Sequence, residues 1–169
     1  MTANARIVLA DCREAHGELV DGLVGSLWRR RWATVVVLLR TTLHVLDKVD
    51  GASNPAMRSA VDDAWKKAKP DIFSGFIESD RNLLLKEYNF FAGQNATVYV
   101  GEDRSDITYS MNDGLYAGQD PRVVASQAIE WLDQYLSDID QVARVGIPTP
   151  ERTTGSDSDV LGNRLGQIT

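Results

Sequence analysis

The stretch FIESDRNLLLKEYNFF, Phe76 to Phe91, decides how this chain is read. It has the apolar spacing of a core helix, yet Glu78, Asp80, Arg81, Lys86 and Glu87 are set among its bulky residues. At about 100° per residue, Phe73, Ile77, Leu84, Tyr88 and Phe91 fall on one stripe, with Arg81 inside it between Ile77 and Leu84. Phe76, Leu83 and Phe90 form a neighbouring stripe shared with Asp80 and Glu87. The charges are therefore not segregated to an outer face, and Arg81 is expected to point at another helix or another subunit. A buried guanidinium without a partner costs several kcal/mol. Glu78, Asp80 and Glu87 are the partners its own helix offers.

Upstream, a second helix is predicted from about Trp28 to Val49. Its apolar stripe is Trp28, Trp32, Val35, Val36, Leu39, Leu43, Leu46 and Val49. Arg40, His44 and Asp47 run down it at i, i+4 and i+7 as a polar line, a cross-helix partner for the charged stretch. Two readings follow: a structural network or subunit interface that registers the two helices, or a functional site in the same place.

The remaining elements fit around these two. Residues 3 to about 26 read as a first helix, weakened by Gly17, Gly22 and Gly25. Asn54-Pro55 caps and opens a third, which ends before Pro70. The charged helix is predicted from Asp71 to about Phe91, with Gly93 as the breaker. Ala96 to Met111 reads as a β-hairpin, two β-prone runs around GEDRSD. Asp120-Pro121 opens a fifth helix that runs to about Val145. The fold class is mainly α: a four- to five-helix bundle with a short β-hairpin inserted before the last long helix. Residues 1–146 form this domain. Residues 147–169, rich in Pro, Gly, Ser, Thr and Asp, are expected to be a disordered tail.

Composition narrows the function. The 169 residues suffice for one domain, and the net charge of −6 argues against general duplex-DNA binding. A single cysteine, Cys12, excludes an internal disulfide and a multi-thiolate zinc site. No metal site and no cofactor is expected. No signal-peptide pattern opens the chain, and the most apolar run, Ala33 to Leu39, is far short of the roughly 20 residues of a membrane span. A cytoplasmic protein with no membrane association is the expectation. In WRRRW, Trp28 to Trp32, three consecutive arginines lie between two tryptophans, a composition that suits nucleic-acid contact through Arg29, Arg30 and Arg31. The favoured reading sends the tryptophans to the core and the arginines to water.

RNLLLKEY, Arg81 to Tyr88, resembles the signature helix of HEPN domains, helical and often dimeric bundles found in RNases, toxins and phage-defence proteins. By position Arg81 matches the motif arginine and Asn82 the polar residue after it. The motif histidine falls on Lys86 or Tyr88, depending on the spacer. In RNase members, the resemblance implies, arginine and histidine from two subunits meet at the dimer cleft and assist attack of the RNA 2′-hydroxyl. Lysine and tyrosine, with ordinary pKa values near 10, are poor bases at neutral pH. The resemblance thus implies a homodimeric HEPN-like module acting by protein or RNA binding in a defence, counter-defence or toxin–antitoxin context, without standard RNase catalysis. One alternative is a metal-independent RNase using Arg81 with Lys86, Tyr88 or His44, the last oriented by Asp47 beside Arg40. Another is an acidic inhibitor of a nucleic-acid-binding partner. Glu78, Glu87, Arg40, Asp47 and Arg29 to Arg31 complete the candidate binding or interface set.

Overall fold

The computed structural model describes residues 1–67, 69–98 and 105–145. The expected tail and the tip of the hairpin lie outside these. Five α-helices and one hairpin follow in order: α1 (Ala3–Gly17), α2 (Gly25–Val45), α3 (Pro55–Lys66), α4 (Ser79–Glu87), β1 (Ala92–Val98), β2 (Ser105–Met111) and α5 (Pro121–Val145). The mainly α bundle with a hairpin before its last long helix is the observed fold.

The core is built on α2. Trp32, Val35, Leu39 and Leu43 are fully buried along it, and α1, α4 and α5 all pack on it. Four aromatics continue the core toward the hairpin. Trp28 stacks on Trp32 at 5.8 Å and on Tyr109 at 5.7 Å, and Trp32 meets Phe76 at 5.9 Å. The α5 face of Val124, Ala128, Leu132 and Leu136 closes the other side. Burying a large apolar side chain contributes about 1.5–3 kcal/mol, so this layer carries most of the fold.

Two π-helical segments, each a widened turn, correct the wheel used above. Leu46–Asp50 continues α2, closed by Gly51 N–H donating to the Leu46 carbonyl at 2.8 Å. Phe73–Glu78 precedes α4. A π turn takes one more residue than an α turn, so every residue after it is rotated relative to a continuous 100° wheel. The rotation exchanges two neighbours. Asp80, not Arg81, is the buried charge, at 0% exposure, and Arg81 is only half-buried at the edge of the packed face.

Other boundaries move for local reasons. The first helix stops at Gly17, not near residue 26. Leu19 and Leu23 keep their core positions because the following loop folds back under the bundle, with Gly22 at φ 80°. An apolar spacing that looks helical thus continues through a turn. Asn54 caps α3 as expected, its Oδ1 accepting from Met57 N–H at 2.9 Å. The charged helix ends at Tyr88 in the left-handed region (φ 50°), and not at Gly93, which lies within β1 opposite Ser110. The hairpin accordingly starts at Ala92, and pairs Ala92 with Met111 through to Val98 with Ser105. Asp120 caps α5 by accepting from Arg122 N–H at 2.8 Å.

The N-terminus is held by acids from distant segments. Asp50 Oδ1 accepts from both the backbone N–H (3.2 Å) and the side-chain amide (2.8 Å) of Asn4, and its Oδ2 accepts from Ala5 N–H at 2.8 Å. It does for the first turn of α1 what a local N-cap would do, since Thr2 gives no side-chain cap there. Asp140 of α5 accepts from Thr2 N–H at 2.7 Å and Thr2 Oγ1 at 2.9 Å. The hairpin is fastened to the α1–α2 loop. Gln94 donates its amide to the Leu23 carbonyl and accepts from Gly25 N–H at 2.9 Å, and the Tyr109 hydroxyl donates to the same carbonyl at 2.9 Å.

Candidate functional site: a basic cleft between α2 and α4

Arg40 and His44 stand one turn apart on the outer side of α2, and Arg81 and Leu85 one turn apart on α4. The two pairs face each other across a cleft of ≈ 300 Å³, with Val37 and Thr41 completing its lining. Among the described residues no lining side chain is acidic. Arg40 is half-buried and has no hydrogen-bond or ion-pair partner among the described residues. Arg81 donates to a neutral acceptor, Asn82 Oδ1, at 2.9 Å. Its expected partners Glu78 and Glu87 do not reach it. His44 is exposed at the cleft mouth. The walls between these groups are apolar, with Val37 at 42% and Leu85 at 61% exposure.

The helices explain the arrangement. On α2 the stripe of Val36, Leu39 and Leu43 faces inward, which leaves the Arg40–His44 line beside it at the surface. Asp47 was expected to continue that line and orient the His44 ring. It does not, because the π-helical turn begins at Leu46 and swings position 47 toward α3. Its carboxylate meets Arg58 Nη1 at 2.9 Å and Lys48 Nζ at 2.8 Å. Those contacts, led by the Lys48 hydrogen bond, hold the Asp47 carboxyl below its ordinary range. The trio Arg40–His44–Asp47 is therefore a pair plus a separate salt bridge.

The remaining candidates lie elsewhere. Asn82 stands beside Arg81 but outside the cleft lining, and Lys86 and Glu87 are exposed on the outer face of α4. Tyr88 is 68% exposed, its ring 6.5 Å from Phe90. The two positions that match the motif histidine therefore do not join Arg81, whereas His44 of α2 does. In WRRRW, Trp28 and Trp32 are buried, Arg29 and Arg30 are exposed, and Arg31 donates to the Glu18 carbonyl at 2.6 Å. These three arginines tie the α2 start to solvent and to the preceding loop, away from the cleft.

Reading the sequence missed Asp80. It receives the Trp32 indole N–H at 3.1 Å and Phe91 N–H at 2.8 Å, so it joins α2, α4 and the entry to β1. Burial pushes its carboxyl up to about 6, against the two hydrogen bonds that favour the charged form. Its place on the Phe76–Leu83 stripe was the available signal. Two other groups with reactive chemistry are structural. The Cys12 thiol is buried and pushed up to about 12 by desolvation, which leaves it no nucleophilic thiolate at neutral pH. His16 Nε2 is bonded to the Arg122 carbonyl at 2.8 Å.

Among the described residues no group of His, Cys, Asp or Glu is arranged to hold a metal ion, and no helix is long and apolar enough to cross a membrane. No protein-family model, curated protein or solved structure matches this chain.

Proposed function

We propose that this chain is a HEPN-like helical module that binds RNA through the α2–α4 cleft, as a binding module rather than a standard RNase. One observation carries the reading: on a chain of net charge −6, Arg40, Arg81 and His44 share a cleft that no carboxylate lines among the described residues. Arginines that serve folding are usually paired, as Arg58 and Arg122 are here. Two guanidiniums facing an apolar-walled cleft without an acid offer the fork geometry and partial desolvation that favour a phosphate. The helical architecture and the Arg81-Asn82 dipeptide support the HEPN likeness. A homodimer through the α2–α4 face and a role in defence, counter-defence or toxin–antitoxin pairs are parts of the same proposal. The exposed Val37 and Leu85 favour the dimer, and the resemblance alone supplies the biological setting.

Fluorescence titration of single-stranded RNA at several salt concentrations tests this. Wild type should bind, with log K falling linearly in log salt. The double variant Arg40→Ala/Arg81→Ala should lose affinity, and its slope should shrink by about 0.7 for each phosphate contact removed. Equal affinity and slope for both proteins would rule the cleft out.

His44 favours a second reading. It is the one histidine beside Arg81, so a metal-independent RNase would use it as the proton carrier. That reading requires cleavage products that disappear in His44→Ala while RNA binding persists.

A further inference from the structure

Elsewhere in the bundle, between α3 and α5, four aromatic rings line a small cavity of ≈ 120 Å³ together with Lys67 and Lys69. Trp65 comes from the last turn of α3, Phe73 from the turn after Pro70, and Trp131 and Tyr135 from one face of α5. Trp65 and Phe73 meet edge to face at 6.0 Å and 77°, Phe73 and Trp131 at 6.0 Å, and Trp131 and Tyr135 stack at 5.1 Å. One cation already sits there. Lys69 Nζ lies 4.6 Å from the centroid of Trp65 and 4.7 Å from that of Phe73. No carboxylate pairs with this ammonium among the described residues.

Three features make this more than a surface lysine on a ring. First, the two rings that hold the ammonium are nearly perpendicular, so they present two walls to one point, the arrangement that selects a compact cation. Second, one of the two rings is a tryptophan, Trp65, although its indole Nε1, like that of Trp28, is buried with no acceptor among the described residues, at a cost of about 1–3 kcal/mol. Phenylalanine would avoid that cost. What tryptophan adds is the strongest attraction for a cation of any side chain. Third, the cavity adjoins a groove between α3 and α5 that shares Ala64, Lys67 and Tyr135 with the cage and is lined further by Asp138 and by Asp63, which is paired with Lys66 at 2.9 Å. The Asp138 carboxylate at the approach, with aromatic faces at the end, suits a cationic ligand head that can pass Lys67. A primary ammonium such as Lys69 is strongly hydrated and gains little from leaving water. An alkylated ammonium is weakly hydrated and matches aromatic walls better.

We propose that the Trp65–Phe73–Trp131–Tyr135 pocket is a binding site for a trimethylammonium group, with Lys69 as the internal cation that occupies it until the ligand displaces it. The group has two sources, a small choline-type molecule or a trimethylated lysine side chain. The site is separate from the basic cleft and independent of the RNA reading.

Nuclear magnetic resonance of the indole N–H signals of the four tryptophans tests it on the full chain. Choline and trimethyl-lysine are titrated beside 3,3-dimethyl-1-butanol, the uncharged carbon analogue of choline. The cations should move the Trp65 and Trp131 signals and the neutral analogue should not. The tighter of the two cations identifies the source of the group. Lys69→Ala should tighten binding about 3- to 10-fold by removing the internal competitor. Trp65→Leu should weaken it at least about 10-fold, and Trp65→Phe, which keeps an apolar ring, by less. No response to either cation in wild type and Lys69→Ala overturns the proposal. So does an equal response to the neutral analogue, or weaker binding in Lys69→Ala.

Discussion

Helix α2 and its π-helical extension treat charge in two opposite ways within three turns. At the far end Asp50 is 2% exposed and accepts three hydrogen bonds from the start of α1. Midway, Arg40 reaches a cleft in which no described residue of opposite sign meets it. The same contrast recurs within α4, where Asp80 is enclosed and satisfied by two N–H donors while its neighbour Arg81 finds only an amide oxygen. In this molecule the buried acids hold distant segments together, and the cleft arginines, which meet no acid among the described residues, join no distant segments. Charges that build the fold are thereby distinguished from charges free to meet a ligand.

Substitutions can break that division. The largest loss is expected from Asp50→Ala, which strips three donors at the start of α1 of a charged acceptor. Urea unfolding should show a loss of about 3 kcal/mol. A loss below about 1 kcal/mol would mean that water replaces the carboxylate and that the cap is dispensable.

Asp80 sharpens the comparison through pH. Its folded carboxyl titrates near 6, against an ordinary value of 3.8. Between these values the folded chain keeps a proton that the unfolded chain has lost. The stabilising contribution is therefore fully present below about pH 4 and is lost as pH rises through about 6. The total is on the order of 2–3 kcal/mol. Asp80→Asn should remove this segment of the stability–pH profile. A profile shared by wild type and variant from pH 4 to 7 would show that the carboxylate is better solvated than its enclosure indicates.

A smaller effect of the opposite sign is expected at Tyr88. Its φ of 50° strains any residue with a Cβ, and its ring is 68% exposed. Tyr88→Gly should raise stability by about 0.5–1 kcal/mol, read as a higher urea midpoint. Unchanged or lower stability would show that the Tyr88–Phe90 ring contact repays the strain. The smallest effect belongs to the cleft. Arg40→Ala and Arg81→Ala should each change stability by less than about 0.5 kcal/mol, because neither guanidinium holds a charged partner. A loss above about 1.5 kcal/mol from either would place it among the structural charges and remove the basis for a ligand cleft.

Much of this architecture was legible from residue order. The α2 stripe from Trp28 to Leu46, the Asn54-Pro55 and Asp120-Pro121 starts and the β-prone run ending at Met111 depend on neighbours close in sequence, and each sits where its pattern placed it, whereas Val49, the expected end of that stripe, is 48% exposed within the π-helical turn. What failed was phase. A π-helical turn leaves no mark in a hydrophobic periodicity, and two of them shifted Asp47 away from His44 and exchanged Asp80 for Arg81 on the packed face. Within the candidate site, the opposition of Arg40 and His44 to Arg81 followed from two helix stripes expected to face each other. The absence of acids around them did not, because it depends on where the wide turns send Glu78 and Asp47. The stop at Tyr88 was hidden for a related reason: a tyrosine in the left-handed region is set by the Asp80–Phe91 hydrogen bond that reverses the chain, and not by local preference.

The way Gln94 and Tyr109 grip the α1–α2 loop bears on how this chain can change over evolutionary time. Both side chains address the carbonyl of Leu23, and Gln94 also takes the Gly25 amide, so they sense where the loop backbone runs and not which residues it carries. Mutational drift at the exposed Glu18, Val20 and Asp21 leaves the hairpin's anchor untouched, whereas a single inserted or deleted residue moves the carbonyl out of reach. Relatives of this protein should therefore vary in the letters of that loop while keeping its length.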